Sequence, residues 1–267
     1  MNAKQYIADS TIFGSFFTPA VALGALLILS AVPSTAIAWE WSWGGKSVTA
    51  SGVVKSESRE VTGFTGVSVA LPAKVTIVQG GKEGVTVEAD DNFLPHIETV
   101  VERGSLKIRA TERNTNFKGR NFKINITVNA INIDQLSVAG SGEILANQLK
   151  SPKLKASIAG SGDVNINALD VDVLKISIAG SGDFGARGVA NEVEGSIAGS
   201  GTLKTDRLKA KSVSLKIAGS GDASIWATDT IKLSVAGSGD VKYWGDAKIS
   251  QSIAGSGSIK RLGTAPN

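Results

Sequence analysis

Four groups of residues in this 267-residue chain carry atoms that could do chemistry. One is a set of acids, Glu143, Asp163, Asp183, Asp222 and Asp240, each directly following a G-S-G tripeptide, with Thr202 and Ser258 interrupting the series. Carboxylates that recur at one point of a repeat could ligate Ca²⁺, as calcium-binding β-rolls do with G-G-x-G-x-D repeats that set carboxylates and carbonyls around each ion. The second group is the serines inside those tripeptides, hydroxyls of the type that nucleophilic hydrolases use. The third is His96, the single histidine. The fourth is aromatic: Trp39, Trp41 and Trp43 in W-E-W-S-W, with Trp226, Tyr243 and Trp244 much later. Indoles of this kind stack on sugar rings or settle at a membrane interface.

Catalysis fits these residues poorly. A nucleophilic serine needs a strained elbow and an oriented base, and the serine here recurs seven times, which is how architecture behaves and not how one active site behaves. With no cysteine in the chain, thiolate nucleophiles, disulfides, cysteine metal sites and lipoprotein acylation are excluded. His96 stands in Phe93-Leu94-Pro95-His96-Ile97 and reads as a packed or solvated side chain in a loop. No catalytic residue and no cofactor is expected. For the acids Asp163, Asp183, Asp222 and Asp240 two readings stand: a calcium ladder, or a solvated turn in which each Asp bonds nearby backbone. Carboxylates stacked ~4.8 Å apart repel by roughly 1 kcal/mol in water and several times that at a surface dielectric of ~20, so a short exposed row survives without a cation. The formal charge is only +4, with Lys and Arg dispersed among Asp and Glu. Nucleic-acid binding, which wants a basic stripe interleaved with aromatics, is excluded as a class.

The repeat that positions these residues is A-G-S-G, which occurs seven times, beginning at Ala139, Ala159, Ala179, Ala198, Ala218, Ala236 and Ala254, in steps of 20, 20, 19, 20, 18 and 18 residues. A propeller blade needs about 40 residues and collagen a glycine every third residue. At ~3.3 Å per strand residue, one step spans a contour of roughly 60 Å, enough for three short sides and their corners, each coil stacking ~4.8 Å above the last. The expected fold is all-β, a right-handed parallel β-helix (β-solenoid) with rungs of about 18 to 20 residues. Alternation supplies its core. Ile158, Val164 and Ile166 face inward while Ser157, Asp163, Asn165 and Asn167 face outward. Later coils repeat the pattern with Ile176, Ile178 and Phe184, then Val193, Ile197 and Leu203, Val213, Leu215 and Ile217, Leu233, Val235 and Val241, and Ile249, Ile253 and Ile259. Gly195 and Gln251 break it.

The turn itself is expected to be a structural ladder. Its members are Gly140-Ser141-Gly142, Gly160-Ser161-Gly162, Gly180-Ser181-Gly182, Gly199-Ser200-Gly201, Gly219-Ser220-Gly221, Gly237-Ser238-Gly239 and Gly255-Ser256-Gly257. Glycine admits positive φ and close approach of neighbouring coils, and the stacked serine hydroxyls are expected to donate and accept along the axis.

Residues 48–136 lack A-G-S-G but contain short alternating runs at Val67–Val69, Lys74–Val78, Gly84–Val87, Ser105–Ile108 and Phe122–Val128. They read as less regular coils of the same domain, with Asp90–Pro95 and Thr111–Arg120 as looped excursions. Here the residues resemble a known family. Val61-Thr62-Gly63-Phe64 through Val75-Thr76-Ile77-Val78-Gln79-Gly80, then Gly104-Ser105-Leu106-Lys107-Ile108, Ile124–Val128 and the repeated G-S-G-D are similar to the bacterial putative autotransporter adhesin head GIN domain family, over about residues 58–262. The resemblance implies an exported parallel β-helix and a role in adhesion, and transfers no catalytic residues. Asn129 stands where that family often has a proline. The chain shows no C-terminal run of membrane strands, so no translocator barrel is expected within it.

Ahead of this domain, residues 19–32 form an apolar run of signal-peptide length, and Thr35-Ala36-Ile37-Ala38 ends in an A-x-A cleavage site. The expected organisation is a signal peptide over 1–38, a Trp-rich segment or cap over 39–57, one solenoid domain over 58–262 and a tail over 263–267. An uncleaved anchor is the alternative for the first segment. Trp39, Trp41 and Trp43 are expected either to cap the solenoid end against edge pairing or to contact a ligand. The functional expectation is a non-enzymatic cell-envelope protein, exported to the periplasm, the outer membrane or the exterior. It would be a scaffold binding a glycan or protein partner, with self-association open and no integral membrane domain after cleavage. A periplasmic accessory role and a polysaccharide-active enzyme are the rivals.

Overall fold

A computed structural model describes residues 45–266. The signal segment and Trp39, Trp41 and Trp43 lie outside the described residues. Strands occur in the order β1 (Ser47–Thr49), β2 (Val54–Arg59), β3 (Gly66–Ala70), β4 (Lys74–Gln79), β5 (Gly84–Asp90), β6 (Ile97–Glu102), β7 (Ser105–Ala110), β8 (Asn116–Lys118), β9 (Asn125–Ala130) and β10 (Gln135–Gly140). They continue with β11 (Glu143–Ala146), β12 (Leu149–Gly160), β13 (Asp163–Gly180), β14 (Asp183–Gly199), β15 (Thr202–Gly219), β16 (Asp222–Gly237), β17 (Val241–Trp244), β18 (Lys248–Gly255) and β19 (Ile259–Gly263).

From β10 onward every pairing is parallel and each strand pairs with the equivalent strand one coil away, which makes the fold a β-solenoid. Its register is the sequence repeat. Val138, Ile158, Ile178, Ile197, Ile217, Val235 and Ile253 form one continuous column. All but the last are buried. Burial on one face with β-branched side chains on a pleated backbone favours these strands, and the column fixes the register because a one-residue slip would turn every apolar side chain to water. Interior columns hold from Ile158 to Val241, whereas Ile249 and Ile253 are 38% and 40% exposed. Among the described residues their coil pairs with a neighbour on one side only, and no further coil covers the inward side chains. That position also accounts for Gln251, an exposed residue in a column otherwise filled by residues such as Ile176 and Leu233. Gly195 has a different cause. A Cβ there would stand 2.7 Å from Cδ1 of Leu215 and 3.4 Å from Cδ2 of Leu203, so these two side chains occupy the room that a larger residue would need.

The N-terminal region departs from the expectation of irregular coils. The coil made by β3 and β4 is overlaid by β10 and β11 on one side and by β7 and β9 on the other, all parallel. The first coil in sequence is therefore second in space. Around β7 and β9, three strands run antiparallel: β6 beside β7, β5 beside β9, and β2 beside β5. Neither excursion is merely a loop. Within Thr111–Arg120, β8 pairs in parallel with β1, and buried Phe117 packs edge-on against Phe93 at 4.9 Å between ring centroids. In Asp90–Pro95 the Asp90 carboxylate is buried and accepts the Gly52 N–H at 2.6 Å. This antiparallel layer and the phenylalanine cluster lie against the solenoid's first end, the place expected for a tryptophan cap.

Candidate ligand-binding surface

The turn ladder is built from backbone. The amides of Ser161, Ser181, Ser200, Ser220, Ser238 and Ser256 donate to Gly140, Gly160, Gly180, Gly199, Gly219 and Gly237 carbonyls at 2.8–3.0 Å. Both glycines of each tripeptide are required, for separate reasons. The first has positive φ, from +93° at Gly140 to +133° at Gly255. The second is buried in every tripeptide but the last, where Gly257 is half-buried, and at Gly182 a Cβ would lie 2.2 Å from the Gly162 carbonyl oxygen. The serines point to solvent, and among the described residues none of the seven hydroxyls makes a hydrogen bond, which corrects the expected hydroxyl ladder. An exposed hydroxyl is satisfied by water, so the backbone alone carries the stack.

The acids are tied into the same ladder. Asp163 Oδ1 accepts the Asp183 N–H (3.0 Å), Asp183 Oδ1 the Thr202 N–H (3.2 Å), Asp222 Oδ1 the Asp240 N–H (2.9 Å) and Asp240 Oδ1 the Ser258 N–H (2.9 Å) and hydroxyl (2.7 Å). Each carboxylate thus bonds the next coil, not the backbone that follows it in sequence. Where the preceding coil offers Glu143 or Thr202, the amides of Asp163 and Asp222 turn to the Gly142 and Gly201 carbonyls. Among the described residues no three His, Cys, Asp or Glu side chains cluster as metal ligands would.

Burial raises the Asp183 carboxyl, but hydrogen bonds from Lys204 and Thr202 outweigh it and hold the group below its ordinary 3.8. The hydroxyl and N–H of Ser258 lower Asp240 likewise. A carboxylate whose folded pKa lies below its unfolded one stabilises the fold above the unfolded value, and the contribution disappears as pH falls through the folded value. The urea midpoint should therefore be level from pH 7 to about 5 and decline below about pH 4. The Asp183→Ala/Asp240→Ala protein should decline less steeply; an equally steep decline would assign acid sensitivity to other groups.

The outer surface carries further rows that the sequence reading did not single out. Ser68, Ser137, Ser157, Ser177, Ser196, Ser234 and Ser252 share one outward column with Lys216, and the seven alanines of A-G-S-G form the next. The signal was present in the hexapeptide S-I-A-G-S-G, whose first serine alternates outward two residues before the alanine. Around the corner from this face lie two grooves. One, of about 510 Å³, has a floor of buried Val171, Ala190 and Ala210, and its walls include exposed Val189 with Asp170, Asp172, Asn191, Lys209, Lys211 and Asp229. Lys209 Nζ stands 5.8 Å from the centre of the Trp226 ring, a cation–π contact. The other, of about 380 Å³, is lined by Asn165, Asn167, Arg187, Lys204, Asp206 and Arg207. Trp226 and Trp244 are in register on successive coils, with Tyr243 partly buried against the core. His96 is half-buried in the short turn after Phe93, and its carbonyl accepts the Thr111 N–H at 3.0 Å.

The family model for the putative auto-transporter adhesin, head GIN domain, matches residues 63–247. Among solved structures, a putative adhesin from Bacteroides fragilis superposes with a TM-score of 0.73 at 25% identity, over 80% of this chain and all of its own. A putative lipid binding protein from Parabacteroides distasonis gives 0.69 at 26% identity, over 81% of this chain and all of its own. A putative adhesin from Parabacteroides merdae gives 0.63 at 20% identity, covering 82% and 100%, and shares the fold. No curated protein matches the chain.

Proposed function

For this chain, which belongs to the putative auto-transporter adhesin, head GIN domain family, we propose a non-enzymatic role as an exported cell-envelope scaffold that binds a glycan or protein partner. The observation that carries this is the continuous register of the outward serine and alanine columns on the face that leads into the A-G-S-G turns. Equivalent side chains recur on successive coils along a backbone held by parallel ladders and a turn with no room for variation. A repeating partner meets such a face with many weak, evenly spaced contacts, and their sum gives avidity without a deep pocket. Rigidity helps, because little conformational entropy is lost on binding.

The polar residues are spent accordingly. Aspartates at the turns bond the neighbouring coil, and the ion pairs Lys150–Asp170 and Lys175–Glu194 run between adjacent coils at 2.9 and 2.6 Å. Lys153, Lys209 and Lys211 remain exposed on the outer surface. Labelling of these lysines by a membrane-impermeant amine reagent on intact cells, compared with permeabilised cells, tests the placement. Labelling on intact cells is expected. Protection until permeabilisation would remove the adhesin role and favour an accessory role within the envelope.

A further inference from the structure

We propose that the groove crossed by Arg187 and Arg207 binds a carboxylate-bearing sugar unit of an acidic glycan, an inference that rests on the glycan-binding reading above. It begins with a register irregularity. Gly185 of β14 pairs with Lys204 of β15, but beyond them the register shifts, and Arg187 pairs with Arg207. Between these pairs β14 has only Ala186 where β15 has Thr205 and Asp206. That extra residue is a bulge, a device that re-aims side chains, and here it brings two arginines side by side on adjacent strands, ~4.8 Å apart.

Like charges directly opposite one another destabilise a sheet, so a partner for the pair is expected. Among the described residues neither guanidinium makes an ion pair or hydrogen bond. Arg59, Arg109 and Arg261 each do, to Ile97, Glu98 and Asp246 among others. Asp206 lies next to Arg207 in sequence yet forms no ion pair with either arginine. Lys204 is already engaged by Asp183 at 2.7 Å. The two arginines are thus the unspent cations of the groove.

The remaining lining suits a sugar. Gly185 interrupts an outward column that runs Leu145, Asn165, Gly185, Lys204, Ser224. A Cβ at Gly185 would stand 2.5 Å from Asn165 Oδ1, so the amide leans over the gap left by the missing side chain. Asn165 offers a donor and an acceptor to ring hydroxyls, and Asn167, whose Nδ2 donates to Asn147 Oδ1 at 3.2 Å, keeps its carbonyl oxygen and second N–H for them. A guanidinium presents two parallel N–H groups that match a carboxylate bidentately. The groove is open along its length, which admits an internal unit of a chain as well as a terminal one.

Calorimetric titration of the full chain at low salt with tri-galacturonate, 3′-sialyllactose and neutral maltotriose, and with phosphatidylglycerol vesicles, tests the assignment. Binding of at least one carboxylate sugar is expected. Arg187→Ala/Arg207→Ala should weaken it by about 10-fold or more, and Arg187→Lys/Arg207→Lys, which keeps the charge and loses the fork, by a smaller factor. Both positions are exposed, and unchanged thermal melting will show that the variants fold. Carboxylate-sugar binding that is indifferent to both substitutions overturns the site. Binding of maltotriose alone overturns it while leaving the glycan-binding reading intact. Arginine-dependent binding to vesicles alone makes the ligand a lipid phosphate and overturns the sugar assignment, and the absence of all binding counts against the site and the glycan reading together.

Discussion

Gly182→Ala is expected to destabilise the protein by about 3 kcal/mol or more, against no more than about 0.5 kcal/mol for Ser181→Ala beside it. The added methyl would meet the Gly162 carbonyl oxygen at 2.2 Å and Cγ2 of Ile158 at 2.6 Å. Backbone is the nearer obstacle, so no rotamer change relieves the contact; the two coils must part. Parting strains the bond from the Gly182 N–H to the Gly160 carbonyl at 3.1 Å and the bond from the Asp183 N–H to Asp163 at 3.0 Å. Ser181 is exposed and its hydroxyl has no protein partner, so its loss removes little. Urea denaturation followed by circular dichroism separates the two variants. A Gly182→Ala midpoint within error of the Ser181→Ala midpoint would mean that the coil spacing yields more easily than the stacked backbone implies.

Truncating Phe184 to alanine is expected to cost about 3–5 kcal/mol. Phe184 is fully buried in a column whose other members include Val164, Leu203 and Ala223, all smaller. The cost of such a cavity depends on how far its walls can collapse. Here the walls above and below are coils locked in parallel register, so they cannot close without breaking ladder bonds on both sides. Because coils contact only their neighbours, this variant also probes how cooperative the solenoid is. Coincident loss of fluorescence and dichroism would show one unit, and separated transitions would show that the halves on either side of the cavity unfold independently. A loss under about 1 kcal/mol would indicate repacking by Leu203 or its neighbours.

These expectations follow from features that were legible to different degrees in the sequence. The A-G-S-G spacing alone predicted the solenoid, the coil length and the inward columns from Ile158 to Val241, because a repeat near 20 residues with strict alternation has few other physical solutions. It did not show that Ile249 and Ile253 would lie uncovered: Gln251 between them is the one local departure from the inward pattern, and Gly195 departs from it inside a coil that is covered on both sides. The requirement for two glycines in each turn was readable. Their separate duties, a left-handed φ at Gly180 and a backbone contact at Gly182, needed coordinates. The acid row was visible, but a row of aspartates is compatible with bonds along the chain, across coils or to a cation. The observed bonds run across coils.

The N-terminal region shows the limit most clearly. The runs at Val67, Val75, Leu106 and Ile126 were recognisable as strands because their alternation is local. Their spatial order was not, since placing β7 and β9 beneath β3 and β4 is decided by which apolar faces cover one another over separations of about 40 residues or more. Arg187 and Arg207 are 20 residues apart in sequence like many pairs in a repeat, and nothing in composition marks them. The one-residue bulge that aligns them is a property of two strands together. What the chain by itself determined was therefore everything periodic: the repeat length, the inward face and the glycine turn, each a consequence of local backbone geometry and burial. Tertiary structure alone decided what periodicity leaves open, namely the order of the first coils, the exposed end and the shift that pairs two arginines, because each depends on long-range packing that no short window of sequence contains.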